Sequence, residues 1–278
     1  MASEERVPWK KVLYGNKGYP DNYTDPSFLK ELQKNKNVKI FEFTEAFLGI
    51  TKLNYQLSTV TAFLLIFHAM YNEHIEPNVV LIYSSMATLL GYILYIRKEF
   101  SLRAFSDHIK TVLSVIVFGY ISSPLLHTLT QSISTDTIFT MTFFVMFIHL
   151  IFFDYGVPAF MVSTAISFNA AIFGAICLSS RLSSSFHAFT LLIVSSEFFA
   201  LLPLFMERFW SPLWMLMIAI LSSYFLLNLS LSLWLTYILI SFFVNIICPY
   251  VFVDQQKHKN NIHGPWDEAI VKEDMEPF

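Results

Sequence analysis

The residues of this chain that could do chemistry inside an apolar setting are few and widely separated. Glu197 stands in the middle of an apolar run, where an acidic residue costs roughly 2.5 kcal/mol or more on membrane-insertion scales. Such a carboxyl group is protonated, paired, or turned towards a wet cavity. Glu197 is therefore a functional-site hypothesis, and a contact to a partner helix is an equally good interpretation.

His149 and Asp154 flank the end of another apolar run, in the stretch HLIFFDYG. A separation of five residues places their side chains about 140° apart on a helix, so the spacing does not favour an acid–base dyad. Asp136 lies in the stretch SISTDT that precedes this run. Its Ser, Thr and Asp residues are typical of a helix N-cap and first turn.

Asn169 is the amide residue of an apolar segment that also carries a stripe of small residues. A small-residue stripe lets a second helix approach closely in a membrane, and Asn169 projects from roughly the opposite side. We therefore expect this segment to be buried on both sides, near the centre of a helix bundle. The stripe consists of Ala159, Ser163, Ser167, Ala171 and Ala175.

Motifs for hydrolysis, metal binding or nucleotide binding do not occur in the sequence. There is no G-x-S-x-G turn and no HExxH, and Cys177 and Cys248 lie singly within apolar stretches. With eight glycines and no glycine-rich phosphate loop, the chain by itself is not expected to bind a nucleotide sugar in a doubly wound domain. We predict no catalytic residue, no metal and no cofactor. The net charge of -3, without a basic stripe, also argues against a nucleic-acid partner.

The elements that must position these residues are membrane-spanning helices. The chain is 55% hydrophobic and 14% charged, and residues 54 to 253 hold only 14 of its 39 charged residues. This predicts an all-α integral membrane protein, a bundle of about eight transmembrane helices. The predicted spans are about 54–72, 78–96, 111–127, 137–153, 157–178, 186–206, 211–228 and 231–253, between an N-terminal segment, 1–53, and a tail, 254–278.

The positive charges predict the orientation of this bundle. With both termini in the cytosol, 17 of the 18 Lys and Arg residues fall on the cytosolic side, and Arg181 alone falls on the other. The cytosolic charges near the spans form a basic rim that we interpret as topology charge or as a site for an inositol phosphate headgroup. The rim comprises Lys52, Arg97, Lys98, Arg103 and Lys110.

Both ends of the chain carry candidate docking elements. Apolar residues recur at helical spacing over 26–34 and 38–53, which predicts amphipathic helices that lie along the membrane interface or pack on a partner. In the tail, His263, Trp266 and Asp267 belong to a compact, turn-like cluster. A tail this rich in specific side chains is interpreted as a docking element.

Seven stretches with specific residue combinations run from one end of the chain to the other. They are WKKVLY (9–14), PDNYTD (20–25), FLKELQKN (28–35), SPLLHTLTQSISTDTI (123–138), HLIFFDYG (149–156), SRLSSSFHAF (180–189) and NIHGPWDEAIVKED (261–274). Together they resemble the PIG-C family of phosphatidylinositol N-acetylglucosaminyltransferase subunits. The resemblance implies a multi-pass protein of the endoplasmic reticulum membrane that works with other subunits, among them a catalytic A subunit that transfers N-acetylglucosamine from its UDP donor to phosphatidylinositol. It also implies a required subunit that is not itself the transferase, and it adds Trp9 to the docking candidates.

Two alternative functions remain open from the residues alone. A lipid transporter or flippase would use Glu197 and Asn169 to line a polar path, although no inverted repeat is visible. An intramembrane lipid-modifying enzyme would use His149, Asp154 or Glu197, and their spacing gives it little support.

Overall fold

The computed structural model describes residues 23, 33–34, 40–97, 101–156, 162–259 and 262–263. The chain divides into two compact units. One unit, Phe43–Tyr250, is the helix bundle. The other combines the two ends of the chain, Met1–Glu42 and Val251–Phe278.

The bundle is built from α-helices joined mainly by short turns. Two of the helices continue through a π-helical turn, Glu197–Leu201 after α6 and Phe243–Ile247 after α9. The helices are α1 (Phe43–Tyr71), α2 (Pro77–Ile96), α3 (Leu102–Leu129), α4 (Thr135–Phe152), α5 (Thr164–Ser179), α6 (Ser185–Ser196), α7 (Leu202–Phe209), α8 (Pro212–Leu229), α9 (Leu231–Phe242) and α10 (Cys248–Gln255).

Within the described residues, six helical stretches are long and apolar enough to cross a membrane, which confirms the predicted all-α membrane fold. Two other predicted spans also coincide with helices. Of these, α1 is 29 residues long but polar along much of its length, and α5 has only 16 residues. The six are 77–96, 105–129, 135–152, 185–209, 212–229 and 231–258.

Serine and proline set where several of these helices begin. The hydroxyls of Ser134, Ser163, Ser184 and Ser211 each accept a backbone N–H from the first turn of the helix that follows. Proline occupies the first turn of α2 and α8, where its missing N–H has no partner to lose. Residues of these two kinds mark helix starts even where the sequence is apolar on both sides.

A proline follows each of the two π-helical turns, although Pro124 lies inside α3 without one. Pro203 and Pro249 lie four residues after Phe199 and Asn245, and each of those residues falls within a π turn. A proline in a helix cannot donate to the carbonyl four residues earlier and its ring clashes with that carbonyl. At these two places the backbone forms a π turn, which holds one residue more than an α turn, and the helix then continues.

The bundle core lies between α1, α4, α5 and α6. Phe63 and Ala175 in this core are fully buried. Gly174 brings α4 and α5 close together, because a Cβ at this position would lie 2.8 Å from the Cε of Met146. The predicted packing stripe is confirmed for its described helical members, Ser167, Ala171 and Ala175, which are all buried.

Asn169 departs from its prediction. Its side chain is exposed, and Phe173, one turn further along α5, is 43% exposed. The expectation that α5 is buried on both sides is therefore wrong for this chain by itself. Helical periodicity predicts the angle between Asn169 and the stripe of small residues on α5. It does not predict which other helices pack against each side of α5.

The N-terminal part of α1 and the predicted span that follows it form one helix. The interfacial helix predicted over 38–53 begins at Phe43 and continues without a break to Tyr71. Five residues of α1 with polar side chains are buried in the bundle. These are Thr51, Asn54, Gln56, Ser58 and Thr59.

The second unit joins the two ends of the chain. Strands β1 (Gln33–Lys34) and β2 (Ile262–His263) pair antiparallel, with Gln33 opposite His263. The side-chain amide of Gln256 accepts the Phe41 N–H (2.7 Å) and donates to the Phe41 carbonyl (2.9 Å). Of the helix predicted over 26–34, only Gln33–Lys34 is described, and it is a strand. The docking candidates Trp9, Trp266 and Asp267 lie outside the described residues.

Candidate functional site

A buried polar network surrounds His149 in the last turn of α4. Its Nε2 lies 2.7 Å from the Nε2 of Gln56 on α1. Its Nδ1 lies 2.9 Å from both the carbonyl and the hydroxyl oxygen of Ser167 on α5. The Phe199 ring meets the imidazole edge-on, with centroids 4.9 Å apart. His149 is 1% exposed, so this network joins three helices without access to solvent.

Asp154 takes no part in this network, as its spacing predicted. Its carboxylate is exposed and accepts the N–H of Gly156 at 2.7 Å, which closes a tight turn after α4. Gly156 adopts a φ of +77°, a conformation that suits glycine. The signature stretch HLIFFDYG thus ends a helix, and His149 is its fully buried polar residue.

A second cluster, the Lys52 site, lies one turn of α1 away from Gln56. The Lys52 ammonium donates to the Tyr155 carbonyl at 2.9 Å and lies 5.9 Å from the centre of the Trp210 ring. Trp210 also meets Tyr55 edge-on at 5.6 Å. The site therefore combines the start of α1, the turn after α4 and the turn between α7 and α8.

The backbone around Lys52 is held in place by its neighbours. The Tyr155 hydroxyl donates to the Leu150 carbonyl at 2.6 Å, and burial raises the pKa of this phenol, which stays protonated at neutral pH. A Cβ on Gly156 would lie 2.8 Å from the Lys52 Nζ. A side chain at this position would have to displace the ammonium group.

The Lys52 site has the chemistry of an anion-binding site. An ammonium group has three N–H donors, of which one meets the Tyr155 carbonyl. Among the described residues, no Asp or Glu forms an ion pair with Lys52. The cation and its aromatic neighbours are the types of side chain that anchor at a membrane interface. The remaining donors can meet the oxygens of a phosphate group.

The other members of the predicted basic rim are arranged differently. Arg97 and Arg103 are exposed, and Lys110 forms a 3.0 Å ion pair with Asp107. Lys98 lies outside the described residues. Of the four rim residues that are described, Lys52 is the one held between a carbonyl and an aromatic ring.

Glu197 lies in the first π turn, which packs against α2 of the same chain. The hydroxyl groups of Ser84 and Thr88 on α2 lie near its carboxyl group. One carboxyl oxygen, Oε2, is buried without a hydrogen-bond partner among the described residues. Glu197 therefore faces a neighbouring helix, α2, which is otherwise mostly exposed.

At the other end of α4 from the Lys52 site, Arg181 joins the turn between α5 and α6 to the turn between α3 and α4. We call these contacts the Arg181 clamp. The guanidinium donates to the carbonyls of Thr130 (2.6 Å) and Ile133 (3.1 Å) and to the hydroxyl of Ser180 (3.2 Å). Asp136, which lies in the first turn of α4, is exposed. The capping role predicted for this stretch is confirmed for Ser134, whose hydroxyl accepts the backbone N–H of Thr137.

Sequence reasoning missed several residues of these clusters. Gln56, Tyr155 and Trp210 had no periodic signal, because their partners lie 93 to 158 residues away. Arg181 did carry a signal, since it was the one basic residue on its side of the predicted topology. Among the described residues, no group of His, Cys, Asp and Glu could hold a metal ion.

Comparison with known proteins identifies the family. No solved structure matches the chain. A family model described as GPI2, phosphatidylinositol N-acetylglucosaminyltransferase, matches residues 9–267. The PIG-C subunit of this transferase from Rattus norvegicus is 36% identical, covering 100% of this chain and 98% of the rat protein. The corresponding human subunit is 35% identical with the same coverage, and the Schizosaccharomyces pombe GPI2 subunit is 31% identical over 97% of this chain and 88% of the yeast protein. The chain therefore belongs to the GPI2, or PIG-C, family of phosphatidylinositol N-acetylglucosaminyltransferase subunits.

Proposed function

We propose that this chain is the membrane subunit of a complex that transfers N-acetylglucosamine from its UDP donor to phosphatidylinositol in the endoplasmic reticulum membrane, the first step of GPI-anchor synthesis. Its part is to hold the lipid acceptor and the catalytic A subunit together, while the A subunit performs the transfer. Full-length relatives named as subunits of this transferase support the assignment. The scattered positions of His149, Asp154 and Glu197 give an intramembrane enzyme no assembled centre.

The Lys52 site is the observation that carries the lipid-holding part of this proposal. The Tyr155 carbonyl accepts one N–H of the Lys52 ammonium group, and a phosphodiester at this site can accept the other two. The aromatic rings of Trp210 and Tyr55 provide the apolar wall beside it. A lipid held beside the catalytic subunit meets the sugar donor in a fixed orientation, without a search in the membrane. Such positioning lowers the barrier to transfer.

The unit formed by the chain ends carries the docking part. Pairing of β1 with β2 and the Gln256–Phe41 bonds make the N-terminal segment and the tail one compact unit. Of the docking candidates, His263 lies in this pairing, opposite Gln33. Trp9, Trp266 and Asp267 lie outside the described residues, and we propose that they act together with it in docking.

The scaffold role is tested with the purified complex and with this chain alone. Transfer of N-acetylglucosamine to phosphatidylinositol is expected from the complex and not from the isolated chain. Omission of this chain is expected to abolish assembly at the membrane. Transfer by the isolated chain would overturn the scaffold role.

The lipid-holding role is tested by Lys52→Ala in the assembled complex. We expect KM for phosphatidylinositol to rise about tenfold or more, because a charge-assisted hydrogen bond contributes roughly 1.5–3 kcal/mol and 1.4 kcal/mol is a factor of ten. The matched control is Lys110→Ala, whose ammonium pairs with Asp107 and whose side chain is 72% exposed. Equal KM values for the two variants would contradict the role of Lys52.

The docking role is tested by co-purification of the other subunits. The Trp266→Ala, Asp267→Ala double variant is expected to lose them while inserting normally into membranes. Gln256→Ala is expected to weaken their capture as well. Its neighbour Gln255→Ala serves as control, because among the described residues that amide bonds to the adjacent Asp254 carboxylate alone. Full capture by the double variant would remove the tail from the interface.

A further inference from the structure

A second polar feature lies on the face of α1 opposite Lys52. Asn54 and Ser58 point there towards α8 and α9, and both are buried. The Ser58 hydroxyl lies 2.8 Å from the Tyr237 hydroxyl on α9, and the Ser222 hydroxyl on α8 donates to the Ser58 carbonyl at 3.3 Å. With Ser241 and Asn245, which follow Tyr237 at four-residue spacing, these residues form what we call the α1–α9 polar seam.

The directions of the three helices fix which residues face each other along the seam. Met215 packs near Tyr55 and Ser222 bonds to Ser58, so α8 runs in the same direction as α1. A hydrogen bond from the Trp234 indole to Ser223 closes the hairpin of α8 and α9, so α9 runs the opposite way. One turn from the Ser58–Tyr237 pair, Asn54 therefore faces the region of Ser241.

Three polar atoms of the seam have no partner among the described residues although they are buried. They are the Oδ1 of Asn54, the hydroxyl of Ser241 and the Oδ1 of Asn245. The amide nitrogen of Asn245 donates back to the Ser241 carbonyl at 2.7 Å, which brings this side chain over Ser241 and leaves its oxygen as the free acceptor. Buried acceptors of this kind are nearly always satisfied in folded proteins.

The backbone at this place is also irregular. Asn245 lies within the second π turn, Phe243–Ile247, where the Cys248 N–H bonds to the Phe243 carbonyl five residues earlier. This turn packs against α1. Single π turns of this kind occur frequently at functional sites.

We propose that the α1–α9 polar seam binds a hydroxyl group at Asn54, Ser241 and Asn245, supplied by water or by a membrane lipid headgroup. The two amide oxygens need two donor hydrogens and the serine hydroxyl can donate to an oxygen, which one water molecule supplies by itself and a lipid headgroup supplies with two hydroxyl groups. An ammonium group would bring a buried charge that no acidic side chain of the seam offsets, and a phosphate oxygen has no hydrogen to donate to the two amide oxygens. The site is separate from the Lys52 site and does not depend on it.

The test uses the full chain in nanodiscs of phosphatidylcholine, with and without phosphatidylinositol, and measures the thermal unfolding midpoint. The variants are Asn54→Leu and Asn245→Leu. Asn228→Leu is the matched control, because Asn228 makes the same bond to the carbonyl four residues earlier, at 2.9 Å to Tyr224, but is exposed. Relative to this control, we expect each seam variant to lower the midpoint by about 2–4 °C, the effect of losing one satisfied hydrogen bond in a chain of this size.

The two lipid conditions separate the sources of the hydroxyl. A lipid headgroup is the source if phosphatidylinositol raises the midpoint of the wild type and of Asn228→Leu but not of the seam variants. Water is the source if the seam variants fall equally in both lipids. The proposal would be overturned if the midpoints of the seam variants equal or exceed that of Asn228→Leu. Such a result would mean that the replaced amide oxygen had no hydrogen-bond partner in the wild type.

Radiolytic hydroxyl-radical footprinting of the wild type gives an answer even if the leucine variants fail to insert. When the ligand is water, we expect the oxidation of Tyr237 in the folded chain, divided by that of the unfolded chain, to exceed the same ratio for Phe63, which is fully buried in the core. When the ligand is lipid, we expect protection of Tyr237 on addition of phosphatidylinositol. Equal ratios for Tyr237 and Phe63 in both lipids would overturn the proposal.

Discussion

Removal of the Arg181 side chain is expected to destabilise the bundle far more than removal of an exposed arginine. The guanidinium makes two short bonds to carbonyls, 2.6 Å to Thr130 and 3.1 Å to Ile133. A hydrogen bond from a charged donor contributes roughly 1.5–3 kcal/mol. With a discount for the half-buried position of Arg181, two such bonds give about 2–3 kcal/mol for Arg181→Ala.

Unfolding of the purified chain in detergent, followed as free energy of unfolding, measures this effect. Arg181→Lys keeps the charge but has one donor nitrogen, so it is expected to lose about half as much. Arg103→Ala removes an exposed arginine and is expected to change the free energy by less than about 0.5 kcal/mol. If Arg181→Ala and Arg103→Ala have equal stabilities, the clamp does not contribute as its geometry indicates.

Three further substitutions follow from close contacts in the bundle. Gly174→Val is expected to cost about 1–3 kcal/mol, since its Cβ would meet the Met146 side chain at 2.8 Å, and Gly174→Ala less because that methionine can move; unfolding measurements check the order. His149→Ala is expected to cost roughly 2–4 kcal/mol, because it leaves a cavity and two buried polar groups without a partner; a stability equal to wild type would contradict a structural role. Gly156→Ala is expected to raise KM for phosphatidylinositol as Lys52→Ala does, because a Cβ at 2.8 Å displaces the ammonium; an unchanged KM would separate the turn from lipid binding.

The sequence predicted the membrane bundle well because long apolar runs are a local signal. The stripe of Ser167, Ala171 and Ala175 was readable for the same reason, since helical spacing needs no knowledge of the neighbours. The neighbours themselves were not readable. Asn169 was expected inside the bundle and is exposed, because angular position on one helix does not say which helix packs beside it.

The polar clusters depend on pairs that are far apart in the chain. His149 meets Gln56 across 93 residues and Lys52 meets Tyr155 across 103, so neither pair leaves a periodic pattern. The π turns were not predicted either, because a proline within a helix does not by itself specify one: Pro124 lies inside α3 without a π turn. The orientation with both termini in the cytosol stays a prediction from the positive charges.

The polar character of α1 has a consequence for how the chain is made. Ser58 of α1 has two hydrogen-bond partners that come much later in the sequence. Ser222 follows it by 164 residues and Tyr237 by 179. At the usual 5–20 residues per second of synthesis, roughly 8–33 s pass before Ser222 emerges. During that time α1, the first of the described helices to be made, has these polar side chains without their partners. We therefore expect α1 to be retained beside the translocation channel until the hairpin of α8 and α9 arrives.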